Sequence, residues 1–169
     1  MVEDTPPFLL DVPTTEEVET NGHIEGATHI QLAELGMHTE LLPAFDTPIV
    51  AYCGSGWRAT IAMTTLYGMG FENVRALKTS FADWVAAGNP VVPGLPENMG
   101  LNAVEIEAGV LDVVNASLAI YGVKPYGGID AETFNTTLVE NADLIVIDVR
   151  KQGELDEQGY IDTGDAELI

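Results

Sequence analysis

Two short apolar runs, Phe8-Leu9-Leu10-Asp11-Val12 and Pro48-Ile49-Val50-Ala51-Tyr52, constrain the fold more than any other feature of the chain. Each has the length and near-continuous apolar character of a strand buried on both faces, and Pro13 ends the first by removing a ladder donor. A weaker run, Val74-Arg75-Ala76-Leu77, predicts a third strand. Between the second and third, Trp57 to Tyr67 has helix-compatible composition, with Gly68 and Gly70 as its stop. After Pro13, Thr14-Thr15-Glu16-Glu17-Val18 carries a capping threonine and early acids, the start of a short helix. Strands alternating with helices at this spacing predict an α/β layer protein, a parallel sheet with helices on both faces.

Further along, Asn89-Pro90-Val91-Val92-Pro93-Gly94-Leu95-Pro96 is rich in proline and glycine and reads as a boundary. Val104 to Tyr121 then reads as one helix, with Val104, Leu111, Val114, Leu118 and Tyr121 on a core-facing stripe. An internal repeat follows. Asp11-Val12 is echoed by Asp148-Val149, Glu17 by Glu154, Val18 by Leu155, Gly22 by Gly159 and Ile24 by Ile161, all at a constant offset of 137 residues. The second copy has Tyr126 to Ile129 as a candidate edge strand, Asp130 capping a helix over Ala131 to Glu140, and Leu144-Ile145-Val146-Ile147-Asp148 as its counterpart strand. The expected organisation is a domain over 1–94 with a truncated front edge, a linker with a helix over 95–125, and the opening of a second repeat over 126–169.

The 169 residues include 27 Asp+Glu against 6 Lys+Arg, a net charge of −21. Nucleic acid and anionic membrane surfaces are thereby disfavoured as partners. An apolar fraction of 46% is nevertheless ordinary for a chain that buries a core. No apolar stretch is long enough to span a membrane, and the acidic start Met1-Val2-Glu3-Asp4-Thr5-Pro6-Pro7 lacks the features of a signal peptide, so a cytoplasmic location is the expectation. The single cysteine, Cys53, excludes an intrachain disulfide.

Cys53 lies in Tyr52-Cys53-Gly54-Ser55-Gly56-Trp57-Arg58-Ala59, where an apolar strand hands over to a helix, the end of a parallel strand at which α/β proteins gather ligands. A lone cysteine is more often a small buried apolar residue than a nucleophile. The surroundings point the other way. Gly54 and Gly56 permit backbone conformations that aim several N–H groups at one spot, and the following helix adds the positive end of its dipole. Arg58 is the first cation in the chain, after ten acids. Such surroundings lower a thiol pKa and make the thiolate available. Cys53 is the candidate catalytic residue, and Gly54, Ser55, Gly56, Trp57 and Arg58 the candidate substrate-binding loop.

The strand Phe8 to Val12, Glu17, Gly22-His23-Ile24-Glu25-Gly26-Ala27, Val50 to Ala59 and the Leu77 to Trp84 segment together resemble the rhodanese domain, over roughly residues 8 to 92 and again over 126 to 169. The resemblance implies a rhodanese-like parallel sheet and a sulfurtransferase. A Cys53 persulfide would take sulfane sulfur from a small donor such as thiosulfate and pass it to a thiol or cyanide acceptor. It implies no cofactor and no metal; His29 and His38 also lack ligands at metal spacing. Phosphatase and arsenate-reductase relatives space Cys and Arg by five residues, whereas the four here, Gly54 to Trp57, look like the sulfur-handling type. An interaction module on the same scaffold is the alternative, but such inactive relatives usually lack the cysteine. Glu17 and His23 resemble a structural pair bracing the Gly-His-Ile turn. Trp57 reads either as a wall of the pocket mouth or as packing on the sheet edge. The family's Asp-Val-Arg survives as Asp148-Val149-Arg150, but Pro13 replaces the arginine in the first copy, and Thr79-Ser80 stands where Gly-Gly is common, as a possible helix cap before Phe81. A truncated front edge leaves sheet and apolar surface to cover, by the 126–140 segment or by a homodimer partner.

Overall fold

In the computed structural model, residues 6–78, 80–141 and 143–161 are described. The chain divides into two compact units, Met1–Gly127 and Gly128–Ile169.

The first unit is built on four parallel strands: β1 (Phe8–Asp11), β2 (Ala27–His29), β3 (Ile49–Tyr52) and β4 (Val74–Ala76), in the order β2-β1-β3-β4. Both central strands are the apolar runs of the sequence. Their side chains alternate between the faces, as the pleat requires. Leu10, Val12, Ile49, Ala51, Cys53 and Val74 join the main core on one face, while Leu9, Ala27 and Tyr52 pack with Ile24, Phe81 and Trp84 on the other. Helix α1 (Thr15–Asn21) follows β1, α2 (Trp57–Gly68) follows β3 and α3 (Ser80–Ala86) follows β4. Two 3₁₀ turns, Leu32–Met37 and Thr39–Leu41, connect β2 to β3. A parallel sheet with helices is therefore observed, as the alternation of strand and helix predicts.

Thr14 caps α1 through a full capping box: its hydroxyl accepts from the Glu17 N–H, and the Glu17 carboxylate accepts from the Thr14 N–H at 2.8 Å. Each edge of the sheet is closed by one side chain. The Asn98 carboxamide accepts from His29 N at 3.0 Å and donates to His29 O at 2.6 Å, imitating a neighbouring strand beside β2. At the other edge the Tyr67 hydroxyl donates to Val74 O at 3.0 Å and accepts from Val74 N at 3.3 Å.

The expected helix over Val104 to Tyr121 is shorter: α4 spans Ala108–Tyr121. Val104-Glu105-Ile106-Glu107 alternates with period two and lies outside the helix, Val104 and Ile106 against the core and the two glutamates outward. Val114 and Leu118 of α4 are buried in that same core. The stretch 95–125, expected as a linker, is thus packed into the first unit.

In the second unit, α5 (Ala131–Glu140) is capped by Asp130, whose carboxylate accepts from Thr133 N at 2.8 Å. Helix α6 (Gln152–Gln158) lies 137 residues after α1, residue for residue. Glu154 accepts from Lys151 N at 3.1 Å, as Glu17 does from Thr14, and Gly159 has φ 71° where Gly22 has φ 80°. The expected strands differ. Neither Tyr126 to Ile129 nor Leu144 to Asp148 forms a strand, and Ile145 and Ile147 are exposed. A strand exists only through its partners. At the same offset the counterpart of β2 falls at 164–166, outside the described residues.

Candidate functional site

Strand β3 ends at Tyr52 in the middle of the sheet, and the chain crosses Cys53-Gly54-Ser55-Gly56 before α2 begins at Trp57. This turn requires Gly56, which has φ 94°; a Cβ there would come within 3.0 Å of the Lys78 carbonyl. The resulting curl folds the loop's N–H groups back on the sulfur. Gly56 N donates to Cys53 Sγ at 3.2 Å. Burial pushes the Cys53 thiol up, but the N–H groups of Ala59, Ser55 and Gly56, with the Ser80 hydroxyl, outweigh it and leave the thiol below its ordinary value. Cys53 is itself fully buried. The sulfur thus sits at the base of a cradle of backbone donors suited to a thiolate or a persulfide anion.

Ser80 is a member of the site that the sequence reading assigned elsewhere. As a helix cap it was expected to serve Phe81; instead it is the first residue of α3, buried, with φ 65°. Its hydroxyl donates to Cys53 O, accepts from Cys53 N at 2.9 Å and lies 3.8 Å from Cys53 Sγ. The N–H of Phe81 donates to Cys53 O at 2.9 Å rather than to the Ser80 hydroxyl. The other half of that expected pair, Thr79, lies outside the described residues.

Arg58 lies beside the loop but faces away from a free-cation role. Its two terminal nitrogens donate to the two carboxylate oxygens of Glu17, Nη2 to Oε1 at 2.9 Å, and the guanidinium is buried. Bidentate pairing with Arg58, together with the Thr14 hydrogen bonds, holds Glu17 down at about 2. The ring of Tyr126 covers the guanidinium, its centroid 5.7 Å from Cζ. The expected Glu17–His23 pair is therefore not formed: Glu17 is committed to Arg58 and Thr14, and His23 Nδ1 bonds the Gly94 carbonyl at 2.7 Å. Trp57, the first residue of α2, is 60% exposed, which removes the reading that it packs on the sheet edge.

Asp11 was not singled out for chemistry by the sequence, because an Asp ending a strand looks like any other. Both its carboxylate oxygens are buried without a hydrogen-bond partner, in a cavity of about 40 Å³ shared with Gly54, Glu17 and Phe81. Burial pushes the carboxyl up to about 7, against partial compensation from Tyr52 and Arg58. Among the described residues no cluster of three His, Cys, Asp or Glu could hold a metal, and no helix is long and apolar enough to cross a membrane.

A central parallel strand ending in a glycine-rich cysteine loop, then a helix whose first turn carries a paired arginine, defines a class of α/β domain. The family model for the rhodanese-like domain matches residues 1–87, and the chain belongs to that family. Among solved structures, YnjE superposes with a TM-score of 0.52 at 20% identity, over 62% of this chain and 30% of that one. That likeness concerns the fold. The Alr3790 protein from Anabaena sp. gives a TM-score of 0.49 at 28% identity over 54% of this chain and 72% of that one. A Rhodanese_3-like domain of the same protein gives 0.49 at 26% identity, over 55% and 98%. A search of curated proteins finds no match.

Proposed function

We propose that this chain is a sulfurtransferase that carries sulfane sulfur on Cys53 and passes it to an external thiophilic acceptor. The observation that carries this reading is the Cys53 sulfur itself, which accepts from the Gly56 N–H at 3.2 Å in a loop whose N–H groups hold the thiol below its ordinary value. Those donors stabilise negative charge on sulfur, which is needed twice. The attacking species is the thiolate, and the same thiolate is the leaving group when sulfur departs. In the first step the Cys53 thiolate attacks the sulfane sulfur of the donor, an S–S bond forms, and the donor's own S–S bond breaks with its electron pair on the departing group. In the second, an acceptor nucleophile such as cyanide or a thiolate attacks the outer sulfur and Cys53 leaves as thiolate. With no second cysteine in the sequence, the persulfide resolves onto an external acceptor.

Gly54, Ser55, Gly56, Trp57 and Arg58 serve this chemistry in different ways. Gly56, at φ 94°, lets the loop close on the sulfur, whereas Gly54 has no positive φ and room for a Cβ; Gly56 also donates to the sulfur, with Ser55 and Ala59 beside it. Arg58, locked to Glu17, holds α1 against the start of α2, and exposed Trp57 offers an apolar wall at the mouth. Intact mass after exposure to a sulfane donor tests the reading: one added sulfur on the wild-type chain and none on Cys53→Ser supports it. Wild type and Cys53→Ser alike in mass and in cyanide-dependent turnover would instead leave an interaction module on a rhodanese scaffold.

A further inference from the structure

The second unit carries an arginine where the first has Pro13, and its contacts show what surrounds that position. Arg150 Nε donates to Asp148 Oδ1 at 2.9 Å and Nη2 to Asp148 Oδ2 at 2.6 Å, so the guanidinium forks onto the carboxylate. Nη2 also donates to the Gly159 carbonyl at 2.8 Å, and Nη1 reaches Gln158 Oε1 at 3.4 Å. At the 137-residue offset these three partners correspond to Asp11, Gly22 and Asn21, and Arg150 itself to Pro13. All four of those residues line the cavity of about 40 Å³ at Asp11, with Glu17 and Gly54 beside them. The first unit therefore keeps the seat and lacks the guanidinium that fills it in the second. Asp11 is only 1% exposed, and neither carboxylate oxygen has a hydrogen-bond partner. A buried carboxyl left this way is costly, and a donor aimed into the cavity relieves it. Asn21 gives its Nδ2 to the Glu17 carbonyl at 2.8 Å, which leaves the carboxamide oxygen as an acceptor. The nearby cation, Arg58, has both terminal nitrogens on Glu17.

We infer that the cavity at Asp11 is a binding site for a guanidinium group, carried by a small molecule or by an arginine side chain of a partner protein. Asp11 takes two N–H donors of the fork, and Gly22 and Asn21 stand where Gly159 and Gln158 receive Arg150. The volume of about 40 Å³ is several times the roughly 10–15 Å³ that one water needs. Gly54, next to Cys53, lines the same cavity, so an occupant lies against the cysteine loop. A net charge of −21 draws every cation toward the surface, and the planar fork is what selects guanidinium over an ammonium point charge. The site goes beyond the sulfurtransferase reading and stands without it. Binding is tied to pH through Asp11, the carboxyl pushed up to about 7. Of the groups that face it, Glu17 is held down at about 2 by Arg58, and Arg58 stays cationic. Burial pushes the Tyr52 hydroxyl up and His29, whose Nδ1 bonds the Asp11 carbonyl at 3.1 Å, down, so both are neutral above pH ~7.

Guanidinium, N-acetylargininamide and methylammonium chlorides, titrated at millimolar levels far below denaturing ones and at ionic strength held constant with potassium chloride, test the site. Amide NMR of the full chain reads occupancy at Gly22 and Gly54. Guanidinium is expected to give saturable shifts at both, with methylammonium weaker by about tenfold or more. Saturation by N-acetylargininamide as well assigns the site to an arginine side chain, and saturation by guanidinium alone assigns it to a small cation. Because the cation selects the ionised carboxylate, binding should tighten about tenfold between pH ~6 and pH ~8 as Asp11 loses its proton. Asp11→Asn keeps the shape of the site and should abolish saturation. Pro13→Arg restores the residue of the second unit and should close the site to added guanidinium; if that variant does not fold, Asp11→Asn and the pH series still decide. Three results overturn the inference: no saturable shift at Gly22 and Gly54, which leaves a cavity that holds water only; methylammonium binding as tightly as guanidinium; or saturation that persists in Asp11→Asn.

Discussion

Ser80 and Asp11 illustrate how much a single side chain decides at this loop. The Ser80 hydroxyl both donates to and accepts from the Cys53 backbone. Ser80→Ala should leave the fold in place at a cost of about 1–3 kcal/mol for the unpaired buried Cys53 N–H, and should slow alkylation of Cys53 near neutral pH, because the thiol pKa rises. A pH series of iodoacetamide labelling checks it. Asp11 makes a pH-dependent contribution whose sign is set by burial. Unfolded, it releases its proton near 3.8; folded, it keeps it to about 7. The folded state therefore binds more protons between these values, so stability falls as pH rises from about 4 to about 7 and is level above. Asp11→Asn cannot ionise. Urea midpoints should show the variant gaining on wild type between pH ~4 and pH ~8, by about 1–4 kcal/mol. Glu17 acts with the opposite sign and in a separate window, its stabilisation being lost as pH falls from about 4.5 to about 2.

At the scale of elements, β1, β3, α1 and the hand-over from β3 to α2 are legible in the sequence because their signals are local: apolar runs, a capping threonine, a glycine pair. Relations across the chain are not. Glu17 meets Arg58 from 41 residues away, and Asn98 closes the β2 edge from 69 residues away, with nothing in either local pattern to announce it. Period two in Val104 to Glu107 was masked by the helical stripe that follows it, which lengthened the expected helix. The edge closures can be tested by substitution. Tyr67→Phe removes both hydrogen bonds to Val74 and keeps the ring, so a loss of about 1 kcal/mol in denaturant unfolding is expected. Thr14→Ala removes the α1 cap and should cost about 1 kcal/mol, and it also frees a carboxylate oxygen of the Glu17 that holds Arg58.

For the whole molecule, 27 acids stand against 6 bases. Like charges repel over a distance that shrinks with ionic strength, so the thermal midpoint should rise with added salt; a midpoint that falls or stays level would show that self-repulsion is not what limits stability. Sulfur acquisition by Cys53 is the claim on which the functional account turns. Intact mass of the full chain after exposure to the 2-mercaptoethanol persulfide measures it most directly. One sulfur gained on the wild type, removed again by cyanide and absent from Cys53→Ser, is the expected result; an unchanged mass, or equal gain in Cys53→Ser, would contradict it.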